Sequence, residues 1–142
     1  MAGSNESGKG NTMKRPKEFS NSWKSSKNPG KQRKYRYNAP LHIKRNLLSA
    51  RLSKDLTKKY NKRSMPLRKG DRVKIARGQF SGTLGKIDRI NLKRERIYVE
   101  GTDRIKRDGT KSLYPIHPSN VIIHELVLDD KMRKKVLERK KK

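Results

Sequence analysis

The sequence contains no cysteine, few aromatic residues and no long apolar run. Without cysteine the chain forms no disulfide, no thiolate zinc site and no thiol nucleophile, as expected in a reducing compartment. No run of about 18 apolar residues occurs, so the sequence predicts no membrane-spanning helix. The start of the chain shows no apolar segment of the secretory type, which predicts no signal peptide. Only 30% of the residues are hydrophobic, enough for one small core flanked by tails.

Acidic residues are also scarce. The 142 residues include 40 Lys plus Arg but only 13 Asp plus Glu, for a formal net charge of +27. A compact fold with this charge repels itself unless a polyanion neutralises it. The composition therefore points to a nucleic-acid-binding protein.

The charge is distributed unevenly along the chain, and changes in charge and composition suggest four segments. Residues 1–30 are polar and are expected to be disordered in isolation, with Trp23 more suited to a partner contact or a local cluster than to base stacking. Residues 31–66 form a basic arm with one or two short helices, and residues 67–124 carry the folding segment.

The fourth segment, residues 125–142, is predicted to form a basic C-terminal helix after an Asp129 or Asp130 cap. Met132 and Val136, four residues apart, and Leu137 beside them suggest the apolar side of this helix. The basic end of the segment suits RNA contact and a solvated tail about equally.

The arm interleaves cations with aromatic rings. In the stretch KQRKYRYNAP, Tyr35 and Tyr37 alternate with basic residues, a pattern suited to phosphate contacts and stacking on unpaired bases. Asn38 is a candidate N-cap for a helix, and Ser53 is a candidate for a second one. Leu52, Leu56 and Tyr60 recur at a spacing of four, which predicts one face of that second helix.

Residues 70–124 show the period-2 pattern of short strands. Apolar residues alternate with polar ones or form short runs, which assigns six of them to the core: Val73, Ile75, Ile87, Ile97, Val99 and Val121. Asp108-Gly109 predicts a hairpin turn between Ile105 and Leu113. Four to six such strands suggest a small closed barrel. The predicted fold class is therefore mainly β, with helical extensions.

No residue pattern supports an enzyme. The chain has three histidines, and His117 and His124 lie seven residues apart, which does not match the usual zinc-ligand spacing. We therefore predict no catalytic residue, no metal and no cofactor. His117 is interpreted as a turn or RNA-contact residue.

The stretch LRKGDRVKIARGQFSGTLGKIDRINLKRERIYVEG, residues 67–101, resembles a KOW motif. The resemblance lies in Gly70-Asp71 before a strand, the glycines at 78, 82 and 85, and Lys86-Ile87. Together with residues 38–73 and 116–140, it is similar to the eukaryotic and archaeal form of the universal KOW-motif protein of the large ribosomal subunit. That family is numbered twenty-four in bacteria and twenty-six in eukaryotes.

This resemblance implies an SH3-like barrel and binding to large-subunit rRNA near its 5′ region, next to 5.8S RNA in eukaryotes. It also implies a role in subunit assembly near the exit tunnel, with neighbouring ribosomal proteins as partners. No small-molecule substrate and no homo-oligomer are expected. The expected location is the cytoplasmic ribosome, with nuclear and nucleolar passage during assembly.

The candidate RNA-binding residues combine the arm with the glycine loop. They are Lys31, Arg33, Lys34, Tyr35, Arg36, Tyr37, His42, Lys44, Arg45, Arg51, Lys74, Arg77, Gly78, Gly82, Gly85, Lys86 and His117. A transcription elongation factor of the KOW type and a free RNA chaperone stay open as alternatives. Sedimentation with large subunits, as opposed to polymerase, separates the first of these from the ribosomal interpretation.

Overall fold

A computed structural model describes residues 19–139. The chain divides into two compact units, residues 1–39 and 40–142. The predictions made for the first 18 residues, and for the last three lysines as an RNA-binding end, lie outside the described residues. Within residues 19–139 no helix is long and apolar enough to cross a membrane.

The first unit is helical where it is described. A short 3-10 helix at Asn21–Trp23 precedes helix α1, Pro29–Asn38. Asn28 caps α1 by accepting hydrogen bonds from the amides of Gly30 and Lys31, and Pro29 occupies its first turn. Asn38 therefore ends α1, and the prediction that it caps the next helix is wrong.

The second unit begins with two short helices separated by a strand. Helix α2, Leu41–Leu47, has Pro40 at its start, and strand β1 follows at Ser49–Leu52. Helix α3, Lys54–Tyr60, starts where Ser53 accepts a hydrogen bond from the Leu56 amide, which confirms the predicted cap. Leu52 belongs to β1, not to the face of α3, because alternate burial of Ala50 and Leu52 fixes it in the sheet.

The remaining elements are mostly strands. They are β2 at Ser64–Pro66, β3 at Arg72–Ile75, β4 at Leu84–Asn91, β5 at Arg96–Val99, β6 at Asp103–Ile105, β7 at Lys111–Leu113 and β8 at Val121–Glu125. A 3-10 helix at Pro118–Asn120 precedes β8, and helix α4 spans Lys131–Glu138.

Six strands form one sheet in the order β2-β1-β8-β3-β4-β5. The order is open within residues 19–139, so the predicted closed barrel is not observed, whereas the mainly β core is confirmed. At the edge of the sheet formed by β5, Ile97 makes a single β-bridge with Ile116. Strands β6 and β7 form a separate hairpin around the predicted Asp108-Gly109 turn.

One apolar core holds the second unit together. All six residues predicted for it are buried, and residues from the arm and from α4 join them, namely Leu48, Ala50, Leu52, Met65 and Leu137. The arm thus contributes two strands and part of the core, which the basic, helix-type pattern of residues 31–66 did not indicate. Burial of these side chains fixes the sheet as the rigid platform for its charged loops.

Candidate nucleic-acid interface

The glycine loop, residues 76–83, lies between β3 and β4. Hydrogen bonds to the end of β3 and within the loop hold it in place. The Gly82 amide donates to the Ile75 carbonyl at 2.8 Å, and the Ser81 hydroxyl donates to the Ala76 carbonyl at 3.1 Å. Gly78 has φ +99°, which favours glycine, and nothing lies within 4 Å of where a Cβ would stand. The loop is thus held in one conformation while its tip stays open to an approaching ligand.

This loop forms one wall of a groove. Residues 114–120, which lead into β8, form much of the opposite wall, and Arg96 at the start of β5 also lines it. We call this surface the loop groove; its lining includes Arg77, Gly78, Phe80, Arg96, Tyr114 and His117. Three predicted site residues, Arg77, Gly78 and His117, are therefore brought together here.

His117 has a defined structural role in the groove wall. Its Nδ1 accepts a hydrogen bond from the Ser119 amide at 3.2 Å and lies 2.8 Å from the Ser119 hydroxyl. This caps the 3-10 helix that leads into β8. His117 is thus a turn residue that also borders the groove.

A second set of predicted residues lies across the face of the sheet that points away from the core. The pairing register aligns Arg51 of β1 and Lys74 of β3 with Ile122 of β8 between them. Arg51, Ile122 and Lys74 thus lie in one row across the sheet. Lys86 of β4 pairs with Arg72, two residues before Lys74 in β3, and is also exposed.

Gly85 has a packing role within the sheet. It lies in β4, where a Cβ would stand 2.5 Å from the Glu100 carbonyl oxygen and 2.7 Å from the Val99 side chain. Its missing side chain allows β4 and β5 to approach each other closely. Gly82, with φ +89°, shapes the loop instead.

Ion pairing distinguishes the cations that have a carboxylate partner from those that do not. In the described part of the chain, the four ion pairs engage Arg68, Lys69, Arg72 and Arg133. None of them includes Lys74, Arg77, Lys86 or Arg96. These four side chains therefore carry charge that no carboxylate of residues 19–139 neutralises at ion-pair distance, which suits them to phosphate groups.

In the first unit, helix α1 presents most of the arm's predicted contacts. Arg33, Arg36 and Tyr37 are exposed, and Tyr37 is 83% exposed. Lys31 and Lys34 place their ammonium groups 5.9 and 5.0 Å from the centroid of the Trp23 ring. Trp23 thus has local cationic partners within its own unit.

Tyr35 is not available for stacking on a base. Its ring is buried, lies 5.1 Å from the Phe19 ring between centroids, and its hydroxyl donates to the Asn21 side chain at 3.5 Å. The alternation of Tyr and Arg in the sequence suggested two equivalent rings. The helical period of α1 instead turns one ring inwards and leaves the other exposed.

The remaining predicted residues lie on α2. His42 and Arg45 are exposed, whereas Lys44 donates to the Lys93 carbonyl at 3.2 Å. This bond ties α2 to the turn between β4 and β5, so Lys44 has a structural partner. Residues 19–139 contain no cluster of His, Cys, Asp or Glu suited to a metal ion.

Sequence reasoning missed Phe80, Arg96 and Tyr114. The rings of Phe80 and Tyr114 lie 5.5 Å apart between centroids, with an interplanar angle of 55°. They are 34 positions apart in the chain, so no local pattern connects them. The only local signal was Tyr114-Pro115 close to His117, which marked a turn beside a candidate contact residue.

Comparison with known proteins identifies the family of the chain. The profile of the family described as ribosomal proteins L26 of eukaryotes and their archaeal counterparts numbered twenty-four matches residues 26–140. A large ribosomal subunit protein uL24 of Methanosphaera stadtmanae is 50% identical over 115 residues, covering 81% of this chain and 98% of the relative. A uL24 protein of Korarchaeum cryptofilum is 52% identical over 115 residues, covering 81% of this chain and 88% of the relative.

Both comparisons define a ribosomal protein. The chain belongs to the family that unites eukaryotic ribosomal protein L26 with its archaeal counterpart, the uL24 proteins of the large subunit. This confirms the resemblance found in the sequence and favours the ribosomal interpretation over an elongation factor or a free RNA chaperone.

Proposed function

We propose that the protein is a structural constituent of the large ribosomal subunit that binds rRNA. The observation that carries the proposal is the set of four cations without a carboxylate partner, Lys74, Arg77, Lys86 and Arg96, held on or beside a rigid sheet. Its family membership supports the same conclusion. The activity is binding, and no catalytic step, cofactor or small-molecule substrate is part of it.

The sheet supplies position, and its charged loops supply contacts. Arg77 and Arg96 line the loop groove and can reach phosphates there. Gly78 lets the backbone approach the sugar-phosphate chain without a side chain in between. Structured RNA is recognised mainly by shape, phosphates and 2′-hydroxyls, so fixed cations on a rigid platform suit it.

The exposed cations of α1 and α2 add further contacts. Arg33 and Arg36 of α1 and Arg45 of α2 are solvent-exposed, and Tyr37 offers an open ring. Phosphate contacts release counterions from RNA, which offsets the cost of fixing long side chains. We include these residues, together with His42 and Arg51, among the rRNA-binding residues.

Finer features of the proposal come from the family resemblance. They are an SH3-like KOW domain, a site near the 5′ region of the rRNA and 5.8S RNA, and support of assembly near the exit tunnel. Neighbouring ribosomal proteins are the expected protein partners. We also propose that the protein resides in cytoplasmic ribosomes after it has passed through the nucleus and the nucleolus.

A salt titration of rRNA binding tests the proposal. If roughly ten cations neutralise phosphates, the logarithm of the affinity falls against the logarithm of salt with a slope of about −7 to −9. Lys86→Gln is expected to make the slope shallower by about 1. Lys69→Gln is the matched control, because Lys69 already faces Asp88 at 3.6 Å.

Crosslinking tests whether the binding is specific for one region of rRNA. Residues 31–51 and 78–86 are expected to crosslink to one region of large-subunit rRNA in isolated subunits. A slope shallower than about −3, or crosslinks scattered over unrelated transcripts, overturns the proposal.

A further inference from the structure

The loop groove combines features that a phosphate-binding surface does not need. Phe80 and Tyr114 form a tilted ring pair, and Tyr114 stays 37% exposed although its amide is fixed to the Thr102 carbonyl at 2.8 Å. The backbone thus holds an aromatic ring at the surface beside a cationic wall. Phe80 also packs against the core, whereas the exposed Tyr114 ring does not, and phosphate contacts do not need it because Lys and Arg satisfy them.

The size of the groove limits what it can hold. It is an open groove of about 210 Å³, below the roughly 300–1,000 Å³ typical of small-molecule sites. One planar group of the size of a base fits this description better than a cofactor or a drug-sized ligand. An exposed ring beside such a space offers a stacking face to a base.

The two arginines of the groove indicate which kind of ligand it can bind. Arg77 and Arg96 both line it, and neither is in an ion pair with a carboxylate of residues 19–139. A ligand with a flat aromatic part and a negative charge matches a ring beside two arginines. A nucleotide has both, whereas an acidic peptide supplies the charge without the ring.

The base must also be unpaired. In an A-form duplex the bases are stacked and their major-groove edges are inaccessible to side chains. A groove of this size therefore accepts a base only from a bulge, a loop or a strand end. We propose that the loop groove is a subsite for one unpaired nucleotide, with its base on the ring of Tyr114 or Phe80 and its phosphate near Arg77 or Arg96.

The assignment of that nucleotide to rRNA rests on the proposed function. The subsite itself is tested with the full chain and a single-stranded probe, hexa-adenylate RNA, followed by backbone amide NMR. Amide signals of residues 77–80 and of Tyr114, Ile116 and His117 are expected to shift with this probe. A duplex RNA of the same length and a hexaglutamate peptide, which carry negative charge but offer no free base, are expected to move them much less.

Variants at Tyr114 separate stacking from charge. Tyr114→Leu keeps an apolar side chain but removes the aromatic face, and it is expected to weaken hexa-adenylate binding about 5- to 100-fold. Tyr114→Phe is expected to retain binding. Tyr98→Leu is the control, because Tyr98 lies outside the groove with its ring 4.4 Å from the Arg89 guanidinium carbon.

Binding to large-subunit rRNA is measured in parallel. Tyr114→Leu is expected to lower the affinity without changing the salt slope, whereas Arg77→Gln makes the slope shallower by about 1. If hexaglutamate moves the groove signals as much as the RNA, or Tyr114→Leu binds like the wild type, the inference is overturned while rRNA binding stands. If the groove binds hexa-adenylate but the chain shows no preference for large-subunit rRNA, the proposed function fails and the subsite stands.

Discussion

Asp71 and Arg133 form a buried, bidentate ion pair in which both nitrogen–oxygen distances are 2.7 Å. Arg133 also donates to the carbonyls of Val127 and Pro66. Asp71 accepts from the amides of Arg68 and Val127. The pair therefore joins α4 to the start of β3 and to the segment between β8 and α4.

Breaking this pair is expected to cost about 3–5 kcal/mol of unfolding free energy, because one buried charge loses its partner. The test is Arg133→Met, measured by urea unfolding followed by circular dichroism. The exposed pair of Arg72 and Glu125, at 3.2 Å, supplies the control. Arg72→Met is expected to cost less than about 1 kcal/mol, and equal losses for both variants would contradict the prediction.

Gly85 and Gly78 are expected to respond differently to alanine. Gly85→Ala places a Cβ against the Glu100 carbonyl oxygen, so it is expected to destabilise the β4–β5 pairing by about 1–3 kcal/mol. Hydrogen exchange of the Glu100 amide, which donates to the Lys86 carbonyl at 2.9 Å, reports this opening. Among folded molecules, Gly85→Ala is expected to leave rRNA affinity unchanged.

Gly78→Ala meets open space and is strained only by its φ of +99°. Its stability loss is expected to stay near 1–2 kcal/mol, the approximate cost of a left-handed conformation for a residue with a Cβ. Weaker rRNA binding for this variant, measured on folded protein, supports a loop contact. Lower rRNA affinity for folded Gly85→Ala would contradict the assignment of Gly85 to strand packing.

Substitutions of the two tyrosines of α1 are expected to affect different properties, folding for Tyr35 and rRNA binding for Tyr37. Tyr35→Ala removes a buried ring from the first unit and is expected to destabilise it by about 3–5 kcal/mol, as for other large aromatic truncations. Trp23, the only tryptophan, reports this change by fluorescence. Tyr37→Ala is expected to leave that signal unchanged and to weaken rRNA binding, and the reverse pattern would contradict the assignment.

Asp130 is expected to make α4 sensitive to acid. The hydrogen bond from the Met132 amide, helped by Arg68 at 2.6 Å, lowers the pKa of Asp130 below its ordinary value of 3.8. A lowered folded-state pKa contributes stability that is present above 3.8 and is lost as the pH falls through the folded value. Thermal unfolding between pH 5 and about pH 2 measures it.

Asp130→Asn is the matched variant, because asparagine is also a good N-cap but does not titrate. Its stability is expected to fall less steeply than that of the wild type over the acidic range. Other carboxylates titrate in both proteins, so the difference between the two curves isolates Asp130. Identical curves would contradict a role for its charge.

The parts of the fold that depend on neighbouring residues were predictable from the sequence. Alternation identified the buried positions of β3 and β5, and Asp108-Gly109 identified the hairpin turn, where Asp108 accepts from the Thr110 amide and hydroxyl. Ser53 was recognisable as a cap because its partner, the Leu56 amide, is three residues away. Local physics was sufficient in each case.

The parts that depend on distant residues were not predictable. Arg133 is buried because Asp71, 62 positions away, compensates its charge. A cation in a basic segment otherwise suggests exposure, and the spacing of Met132 and Val136 suggests an apolar side of α4, although both are exposed. Only part of the loop groove could be identified in advance, namely Arg77, Gly78 and His117 without Tyr114 and Arg96.

Strand β1 lies parallel to β8, with Arg51 opposite Ile122 and Leu52 opposite Ile123. Residues from the first half of the chain therefore depend on a strand that is synthesised much later. During translation β1 and β2 have no sheet to join until β8 has left the ribosome. Pairings between such distant segments form slowly, so β1 and β2 are expected to be among the last strands to join the sheet.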